Sequence, residues 1–455
     1  MNESLEHLTA AETVARIEAG SVRASEIAKA CLSVVEARDP QIEAWQYLDR
    51  DYVMESALRV DKAHELGRPT GPLAGVLVGI KDVIDTHDMP TENGTPIDAG
   101  RKPRHDAACV SALRAAGAVI MGKTVTTELA SYHPGKTRNP HNHAHTPGGS
   151  SSGSAAAVAA EMCHVALGTQ TNGSVIRPAS YCGVYGFKPS FGAISRRGCL
   201  EQSSPLDTLG IFARSIEDIA MVSEAVSGYD EADATMRPAP RARMRDVALS
   251  EPPLEPRFAF VKTPVWDEFI EPQTAEAFKE LADALGGLCE TVELPGLFAH
   301  VVSWHRHIMH ADIAKNYGPL LDAAPDKISA KLASIIEDGR KVTAVHYNLA
   351  RGFQEVARDA MDPLWEKYNA IITPASTGPA PAGIEFTGNP IFCTLWTYSG
   401  VPAISLPLLE INGLPVGVQL VGAYGDDARL LRTANWLVKH LAGEAGGASA
   451  RQTAA

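Results

Sequence analysis

Two neighbouring stretches decide how this chain folds: "TPGGSSSGSAAAVAA" (residues 146–160) and "VALGTQTNGSVIRPASYCGVYGFKPSFG" (residues 165–192). In the first, a turn rich in glycine and serine leads into small apolar residues, which predict a closely packed helix over 154–162. Beside the second, "HVALGT" (164–169) has the length and composition of a buried strand, and a polar loop follows it. Helices that alternate with short buried strands are typical of an α/β core.

The same alternation continues on both sides of these stretches. Short apolar runs predict strands over 75–80, 118–121, 258–263, 368–376, 401–409 and 413–422. We therefore expect one α/β domain over residues 1–441. Its predicted parts are an N-terminal helical arm (1–65), a signature core (70–227), a helical cap (about 264–366), a return to the core (367–441) and, beyond the domain, a disordered tail (442–455).

Composition excludes several classes of protein. The chain has 455 residues and a net charge of −13, which argues against a nucleic-acid surface. Its seven cysteines show no C-x-x-C spacing, so we expect neither a disulfide framework nor a metal. The N-terminus lacks the pattern of a signal peptide, and no apolar run approaches the ~20 residues that span a bilayer. We expect a cytoplasmic protein without a cofactor or a membrane partner, and a homodimer stays open.

Two short motifs imitate known sites. "GAVIMGKT" (117–124) matches a phosphate-binding loop, but its middle residues form a predicted strand instead of the loop that phosphate requires. "GSSSG" (149–153) matches a nucleophile elbow, but no strand leads into it, so Ser151 is not expected to be a nucleophile.

The histidines of the predicted cap do not form a metal motif. His305 and His310 are five positions apart, which separates them around a helix. His307 and His310 could share a face, but no third ligand is evident. We expect these side chains to be solvated or to line the cap.

Three elements have the residue types that nucleophilic catalysis requires. Lys81 ends an apolar run, and it either reaches the surface or is partly buried, in which case its pKa would fall and the amine could act as a base. Gly148 and Gly149 directly precede Ser150. The loop over 171–174 could turn successive N–H groups to one side and bind an oxyanion. Taken singly, each element is also typical of ordinary surface or turn structure.

Together these segments resemble the amidase signature family. The resemblance runs from about residue 8 to 441 and rests on "GVLVGIKDVIDT", "GAVIMGKT", "TPGGSSSGSAAAVAA", "LGTQTNGSVIRPASYCGVYGFKPSFGAIS", "GVPAISLPLL" and "GLPVGVQLVG". It explains both misleading motifs as family structure. It implies an α/β fold with a mixed, mainly parallel β-sheet flanked by helices, together with the helical cap.

The resemblance also implies catalytic roles. Ser174 matches the family's nucleophile, Ser150 the serine that follows a cis peptide bond, and Lys81 the lysine of the relay. Lys81 would accept the Ser174 proton through Ser150, and Ser174 would form an acyl-enzyme. The backbone N–H groups of Thr171, Asn172, Gly173 and Ser174 would form the oxyanion hole.

This chain departs from the family pattern beside the nucleophile. Many members read "GTDTGGSIRxPA", whereas here Gln170 replaces an Asp, Asn172 replaces a Gly and Arg177 stands one position later. An Asp–Arg contact is therefore expected to be absent or rearranged. Asn is the non-glycine residue that best tolerates a positive φ, so the turn is expected to survive.

The predicted activity is cleavage of amide bonds in a small molecule, with ester or carbamate cleavage as a side or main activity. One alternative is the A component of a tRNA-dependent amidotransferase, which releases ammonia from glutamine; another is a catalytically inactive binding protein. Candidate substrate-binding residues are Tyr132, His133, Phe392 and Trp396. Core packing would explain the two aromatic residues near the C-terminus equally well.

Overall fold

An eleven-stranded mixed sheet organises the chain in the computed structural model, which describes residues 4–240 and 242–452, with side chains up to residue 443. The strands lie in the order β1-β3-β2-β4-β6-β5-β10-β11-β9-β7-β8. They are β1 (Trp45–Leu48), β2 (Leu77–Lys81), β3 (Val119–Thr124), β4 (Val165–Gln170), β5 (Tyr185–Lys188), β6 (Thr208–Ala213), β7 (Phe258–Val261), β8 (Cys289–Val292), β9 (Ala370–Pro374), β10 (Ala403–Ile411) and β11 (Leu414–Val421).

Helices cover this sheet and build the cap. They are α1 (Ala10–Glu18), α2 (Ala24–Ile42), α3 (Arg50–Glu65), α4 (Ala108–Ala115), α5 (Ser152–Ala159), α6 (Ile176–Cys182), α7 (Ile216–Val226), α8 (Met244–Leu249), α9 (Trp266–Phe269), α10 (Pro272–Leu285), α11 (Val301–Ala323), α12 (Ala330–Arg340), α13 (Ala344–Asp359), α14 (Asp362–Trp365), α15 (Ile391–Tyr398) and α16 (Asp427–Gln452).

The sheet is mixed, as predicted, but it is not mainly parallel. In the described part of the chain, six of the ten strand pairings are antiparallel. One reason is β6, which pairs antiparallel with both β4 and β5. Another is the hairpin between β10 and β11, whose two turn residues Asn412 and Gly413 have φ values of 53° and 76°. A two-residue turn with positive φ at both positions is the geometry that joins antiparallel strands.

The helical cap is shorter than the sequence predicts. From residue 301 to 365 the chain is almost entirely helical, through α11 to α14. The preceding segment, 264–292, instead contributes α9, α10 and the edge strand β8, which pairs parallel with β7. An aromatic cluster holds α10 on the sheet, since the rings of Phe260 and Phe278 stack 6.3 Å apart. This part of the predicted cap therefore extends the core.

The two ends of the domain are also helical. Helix α16 runs from Asp427 to Gln452. It therefore includes residues 442–452, the larger part of the tail for which the sequence predicts disorder, and residues 453–455 lie outside the described residues. Among the described residues, no helix has both the length and the apolar composition needed to cross a membrane.

Candidate active site

The candidate site lies where two parallel central strands end. Lys81 is the last residue of β2, and Gln170 is the last residue of β4. The two strands pair in parallel, with Ile80 opposite Leu167. Because parallel strands end at the same edge of the sheet, Lys81 and the loop after β4 meet there. Helix α5 packs beside them, since Gly153 has no side chain to collide with the carbonyl of Ala44, which a Cβ would approach to 2.2 Å.

Lys81 is fully buried at this edge, with an exposed fraction of 0%. Its Nζ donates hydrogen bonds to Ser150 Oγ at 2.7 Å and to Thr169 Oγ1 at 2.8 Å. Burial lowers the pKa of this amine to about 7, an effect that the negative charge of Asp207 partly opposes. A substantial fraction of Lys81 is therefore neutral near pH 7 and can accept a proton.

Ser150 follows a cis peptide bond, between Gly149 and Ser150. The carbonyl of Gly149 accepts a hydrogen bond from Arg177 Nη2 at 2.6 Å, and the carbonyl of Ser150 accepts one from Thr127 N at 3.2 Å. Gly148 has a φ of 84°, and a Cβ there would lie 2.8 Å from Pro178 Cα, so the turn requires glycine. The backbone around the hydroxyl of Ser150 is thus fixed on both sides.

Ser151 does not have the surroundings of a nucleophile. It is fully buried, and its Oγ hydrogen-bonds to the backbone of Thr169, to the carbonyl at 3.2 Å and to the N–H at 3.3 Å. These bonds tie helix α5 to strand β4. The nucleophile-elbow pattern therefore marks a structural serine here.

The loop over 171–174 is held at both ends. Gln170 Oε1 accepts hydrogen bonds from Val175 N at 2.8 Å and Ile176 N at 3.0 Å, while its Nε2 donates to Thr397 Oγ1 at 3.0 Å. Gln170 thus satisfies two N–H groups at the start of α6 that have no partner within the helix. Thr171 Oγ1 donates to Asp207 Oδ1 at 2.6 Å. These hydrogen bonds fix the conformation of the loop.

Hydrogen bonds hold Asn172 in this loop. The turn was expected to survive because asparagine tolerates a positive φ, but Asn172 is not among the residues with that conformation. Instead its Oδ1 accepts a hydrogen bond from Thr394 Oγ1 at 2.8 Å, and its carbonyl accepts one from Thr397 Oγ1 at 2.5 Å. The glycine that the loop requires is Gly173, where a Cβ would lie 2.9 Å from Pro390 Cβ.

Ser174 is half-buried and lines a small, narrow cavity. Among the described residues, its hydroxyl has no hydrogen-bond partner, and Ser150 Oγ bonds to Lys81 rather than to Ser174. The structure thus contains the Lys81–Ser150 half of the predicted relay. The cavity lining consists of Ala130, Ser131, Tyr132, Thr171, Asn172, Gly173, Ser174, Arg177, Gln202, Met309 and Pro390.

A model of the Amidase family matches residues 26–431 of the chain. The chain belongs to the amidase family. It is 32% identical to a relative from Rhodopirellula baltica, the A component of glutamyl-tRNA(Gln) amidotransferase, over 94% of this chain and 95% of the relative.

Solved structures agree with this assignment. The native peptide amidase from Stenotrophomonas maltophilia superposes with a TM-score of 0.82 at 27% identity, over 95% of this amidase and 97% of that chain. A structure described as "An unexpected vestigial protein complex reveals the evolutionary origins of an s-triazine catabolic enzyme" superposes with a TM-score of 0.89 at 27% identity, over 95% and 98% of the two chains. The whole fold is therefore that of amidase signature enzymes.

Arg177 is the unusual charge in the site of this amidase. The side chain is 2% exposed, yet it borders the cavity beside Ser174. Its Nε and Nη2 donate to backbone carbonyls of Thr387 and Gly149, whereas Nη1 is buried without a partner. Burial lowers its pKa, and the described groups that act on its charge are phenols and a thiol rather than carboxylates. The expected loss of an Asp–Arg contact thus leaves a buried guanidinium with an unused donor.

The predicted substrate-binding residues lie in three different environments: the cavity, the surface and the hydrophobic core. Tyr132 lines the cavity, where burial raises the pKa of its phenol and a hydrogen bond to Asn172 opposes that rise. His133 is exposed, and its backbone carbonyl accepts a hydrogen bond from Glu128 N. Phe392 and Trp396 do not line the cavity, because both are buried in the hydrophobic core, with the ring of Phe392 6.1 Å from that of Trp266.

The phosphate-loop pattern forms part of the sheet. Residues 119–124 are strand β3, and its Lys123 is fully buried. Lys123 Nζ donates to the carbonyl of Ile84 at 2.8 Å and to Thr91 Oγ1 at 2.5 Å. These bonds occupy the amine that a phosphate would need.

One group of side chains in the described part of the amidase has metal-ligand spacing, namely His87, Asp88 and Asp106. Arg114 donates to both carboxylates, from Nη2 to Asp88 at 2.8 Å and from Nε to Asp106 at 3.0 Å. A guanidinium already neutralises these oxygens, so the group is better explained as an ion-pair network than as a metal centre.

Sequence reasoning missed three residues that shape the site. Thr169 accepts the second hydrogen bond of Lys81, Asp207 accepts one from Thr171, and His305 Nε2 lies 2.9 Å from the Thr171 carbonyl. Thr169 and Thr171 both stand within the quoted signature stretch, where the backbone N–H of Thr171 was assigned to the oxyanion hole but the side chain of Thr169 was given no role. Asp207 comes from a distant position and carries no local pattern. His305 was expected to be solvated or to line the cap, whereas it is buried against the loop after β4.

Proposed function

We propose that this amidase hydrolyses amide bonds of small molecules through an acyl-enzyme on Ser174, with Ser150 and Lys81 moving the proton. The supporting observation is the buried amine of Lys81, 2.7 Å from the hydroxyl of Ser150, at the edge of the sheet where the loop of Ser174 begins. A serine hydroxyl is a weak nucleophile unless a base takes its proton, and Lys81 is the base that this site offers.

In the first step, Ser174 Oγ attacks the substrate carbonyl carbon. Its proton passes to Ser150 Oγ, while the proton of Ser150 passes to neutral Lys81 along their 2.7 Å hydrogen bond. The carbonyl oxygen becomes an oxyanion, and the N–H groups of residues 171–174 stabilise it. The Ser174 hydroxyl has no hydrogen-bond partner among the described residues, so no existing bond has to break before it gives up its proton.

In the second step, the proton returns from Lys81 through Ser150 to the leaving nitrogen. The carbon–nitrogen bond breaks, the amine departs and an ester of Ser174 remains. Water then attacks this ester and gives a proton to the same relay. The relay returns that proton to Ser174 Oγ as the carbon–oxygen bond breaks, which releases a carboxylic acid and restores neutral Lys81. Esters and carbamates can be cleaved by the same two steps, because their leaving oxygen or nitrogen can also accept its proton from Lys81 through Ser150.

A panel of amides, esters and carbamates with matched acyl groups tests this proposal most directly. We expect turnover of the amides by the wild type and none by Ser174→Ala. Turnover that survives in Ser174→Ala would contradict the acyl-enzyme. A panel on which the wild type cleaves only esters would move the assignment from amides to esters.

Arg177 suggests which amides are preferred. A buried guanidinium with an unused N–H beside the nucleophile is stabilised by a carboxylate, which can accept charge-assisted hydrogen bonds. We therefore propose substrates whose acyl part carries a carboxylate or another anionic oxygen.

This preference predicts a difference between paired substrates. An amide with a carboxylate on its acyl part should show a kcat/KM about 10- to 100-fold above that of its methyl ester, because a charge-assisted hydrogen bond contributes about 1.5–3 kcal/mol. Steady-state kinetics on such pairs measure the ratio. In Arg177→Met the ratio should fall to near one, and equal kcat/KM for both members in the wild type would contradict the role of Arg177.

A second candidate function is that of a component of an amidotransferase complex. It is favoured by the 32% identity to the A component of glutamyl-tRNA(Gln) amidotransferase over nearly the full length of both chains. The replacement of the family's Asp by Gln170 and the position of Arg177 distinguish this chain from the common pattern. Affinity purification from the native cell decides between the two: stable partner proteins, with glutamine hydrolysis only in their presence, would support the amidotransferase.

A further inference from the structure

Thr171, the first residue of the oxyanion loop, is held from two directions. Its Oγ1 donates to Asp207 Oδ1 at 2.6 Å, which ties it to the core. Its carbonyl oxygen lies 2.9 Å from Nε2 of His305, which belongs to helix α11 of the cap. A carbonyl only accepts hydrogen bonds, so Nε2 of His305 is the donor and the imidazole is in the tautomer with its proton there.

His305 is suited to hold this bond permanently. The side chain is 1% exposed, and burial lowers the pKa of its imidazole to about 4. The ring is therefore neutral over the usual assay range, with Nε2–H directed at the Thr171 carbonyl throughout. A group that keeps one protonation state is a fixed donor rather than an acid–base catalyst.

A second polar contact aligns the cap with the same part of the core. Asp312, two turns after His305 on α11, accepts a hydrogen bond from Ser203 Oγ at 2.6 Å. The N–H of Ser203 in turn donates to Asp207 Oδ2 at 3.0 Å. Asp207 therefore connects to helix α11 twice, through Thr171 to His305 and through Ser203 to Asp312.

The geometry points to His305 as a positioning residue that sets the oxyanion loop from the cap, an inference that rests on the proposed function. The Thr171 carbonyl and the Asn172 N–H belong to one planar peptide unit and point in opposite directions. Fixing the carbonyl with His305 therefore fixes the direction of an N–H that borders the cavity beside Ser174. The cap thereby takes part in catalysis although His305 does not touch the reacting atoms.

Two variants separate hydrogen bonding from packing. His305→Leu keeps much of the volume but removes the donor, and we expect kcat to fall about 10- to 100-fold with KM within about threefold, somewhat less than the direct loss of an oxyanion donor. His305→Gln restores an N–H of similar reach, so we expect kcat within about fivefold of wild type and an unchanged acid limb of the pH profile. His310→Leu, on the same helix, is the matched control and should retain wild-type kcat.

Inhibitors give a readout that loss of packing alone would not reproduce. A boronic acid forms a tetrahedral adduct whose oxygen occupies the oxyanion loop, so its affinity should fall in His305→Leu by about the factor lost in kcat. The affinity of the carboxylate product should change little. Equal weakening of both ligands, or wild-type kcat in His305→Leu, would overturn the inference.

Two further outcomes are distinguished: a variant that does not fold, and failure of the proposed function itself. If His305→Leu does not fold, as judged by thermal unfolding, His305→Gln alone carries the test, and a loss of kcat above about tenfold there would overturn the inference. Labelling of wild-type Ser174 by a fluorophosphonate is measured alongside. If that labelling is absent, the proposed function itself fails, whatever the His305 variants show.

Discussion

Replacing Lys81 by methionine is expected to lower kcat by about 10²–10⁴-fold, the contribution of a positioned base, because it removes the base that starts the reaction. Methionine keeps an unbranched side chain of similar length, so the buried space at the end of β2 stays filled. Steady-state kinetics with the best amide of the substrate panel give the measurement. Activity within tenfold of wild type would exclude Lys81 as the base.

The chain offers a matched control in Lys188. This lysine is also fully buried, and burial likewise lowers its pKa to about 7. Its Nζ donates to the carbonyl of Pro189 at 2.9 Å, and it is not among the residues that line the cavity. Lys188→Met should lose stability but keep kcat per folded molecule. Equal loss of kcat in both variants would show that burial of a lysine, not the relay, matters.

The wild-type pH profile follows from the same amine. Its pKa lies near 7, far below the ordinary lysine value, and only the neutral form accepts a proton. Below pH 6 most of Lys81 is protonated and kcat/KM should fall about tenfold per pH unit; above pH 8 it should reach a plateau. Rates measured from pH 5 to 9 test this, and a profile flat to pH 5 would contradict a lysine base.

Much of the fold could be predicted because its strands are buried on both faces. Continuous apolar runs identified β2, β3, β4, β9, β10 and β11 within a few residues. Strand β6, "TLGIFA", was missed because Gly210 interrupts it. A Cβ at Gly210 would lie 2.8 Å from the carbonyl of Phe187, so this glycine allows close contact with β5 instead of ending a strand.

Less of the candidate site than of the fold could be predicted from the sequence. The positions of Lys81, Ser150 and Ser174 follow from motifs, but no motif predicts that Lys81 is fully buried or that it donates to Thr169, 88 positions away. His305 contacts a residue 134 positions away and belongs to no motif. For Phe392 and Trp396, aromatic composition alone could not separate a pocket lining from core packing. Sequence patterns thus supply the candidates for the catalytic roles, whereas the electrostatics of the candidate site come from contacts between distant segments.

A fluorophosphonate is expected to form one covalent adduct, on Ser174, and Ser174→Ala should lose both the adduct and activity by about 10⁴-fold or more, as when a nucleophile is removed. Ser150→Ala keeps the nucleophile but removes the bridge to Lys81. It should lower kcat by about 10²–10⁴, the contribution of proton transfer, while slow labelling of Ser174 continues. Peptide mass mapping locates the adduct in each variant.

Ser152→Ala controls for changes in the same serine-rich turn. Its Oγ donates to the carbonyl of Val125 at 3.3 Å, on the side of the helix that packs against the loop after β3. In this variant the rate of fluorophosphonate labelling and kcat should both stay within about threefold of wild type, as expected for the loss of one weak neutral hydrogen bond. An adduct on Ser150 or Ser151 in the wild type would overturn the assignment of Ser174 as the nucleophile. Of these two serines, only Ser150 hydrogen-bonds to Lys81. Equal losses of kcat in Ser150→Ala and Ser152→Ala would therefore mean that the turn has a structural role and no role in proton transfer.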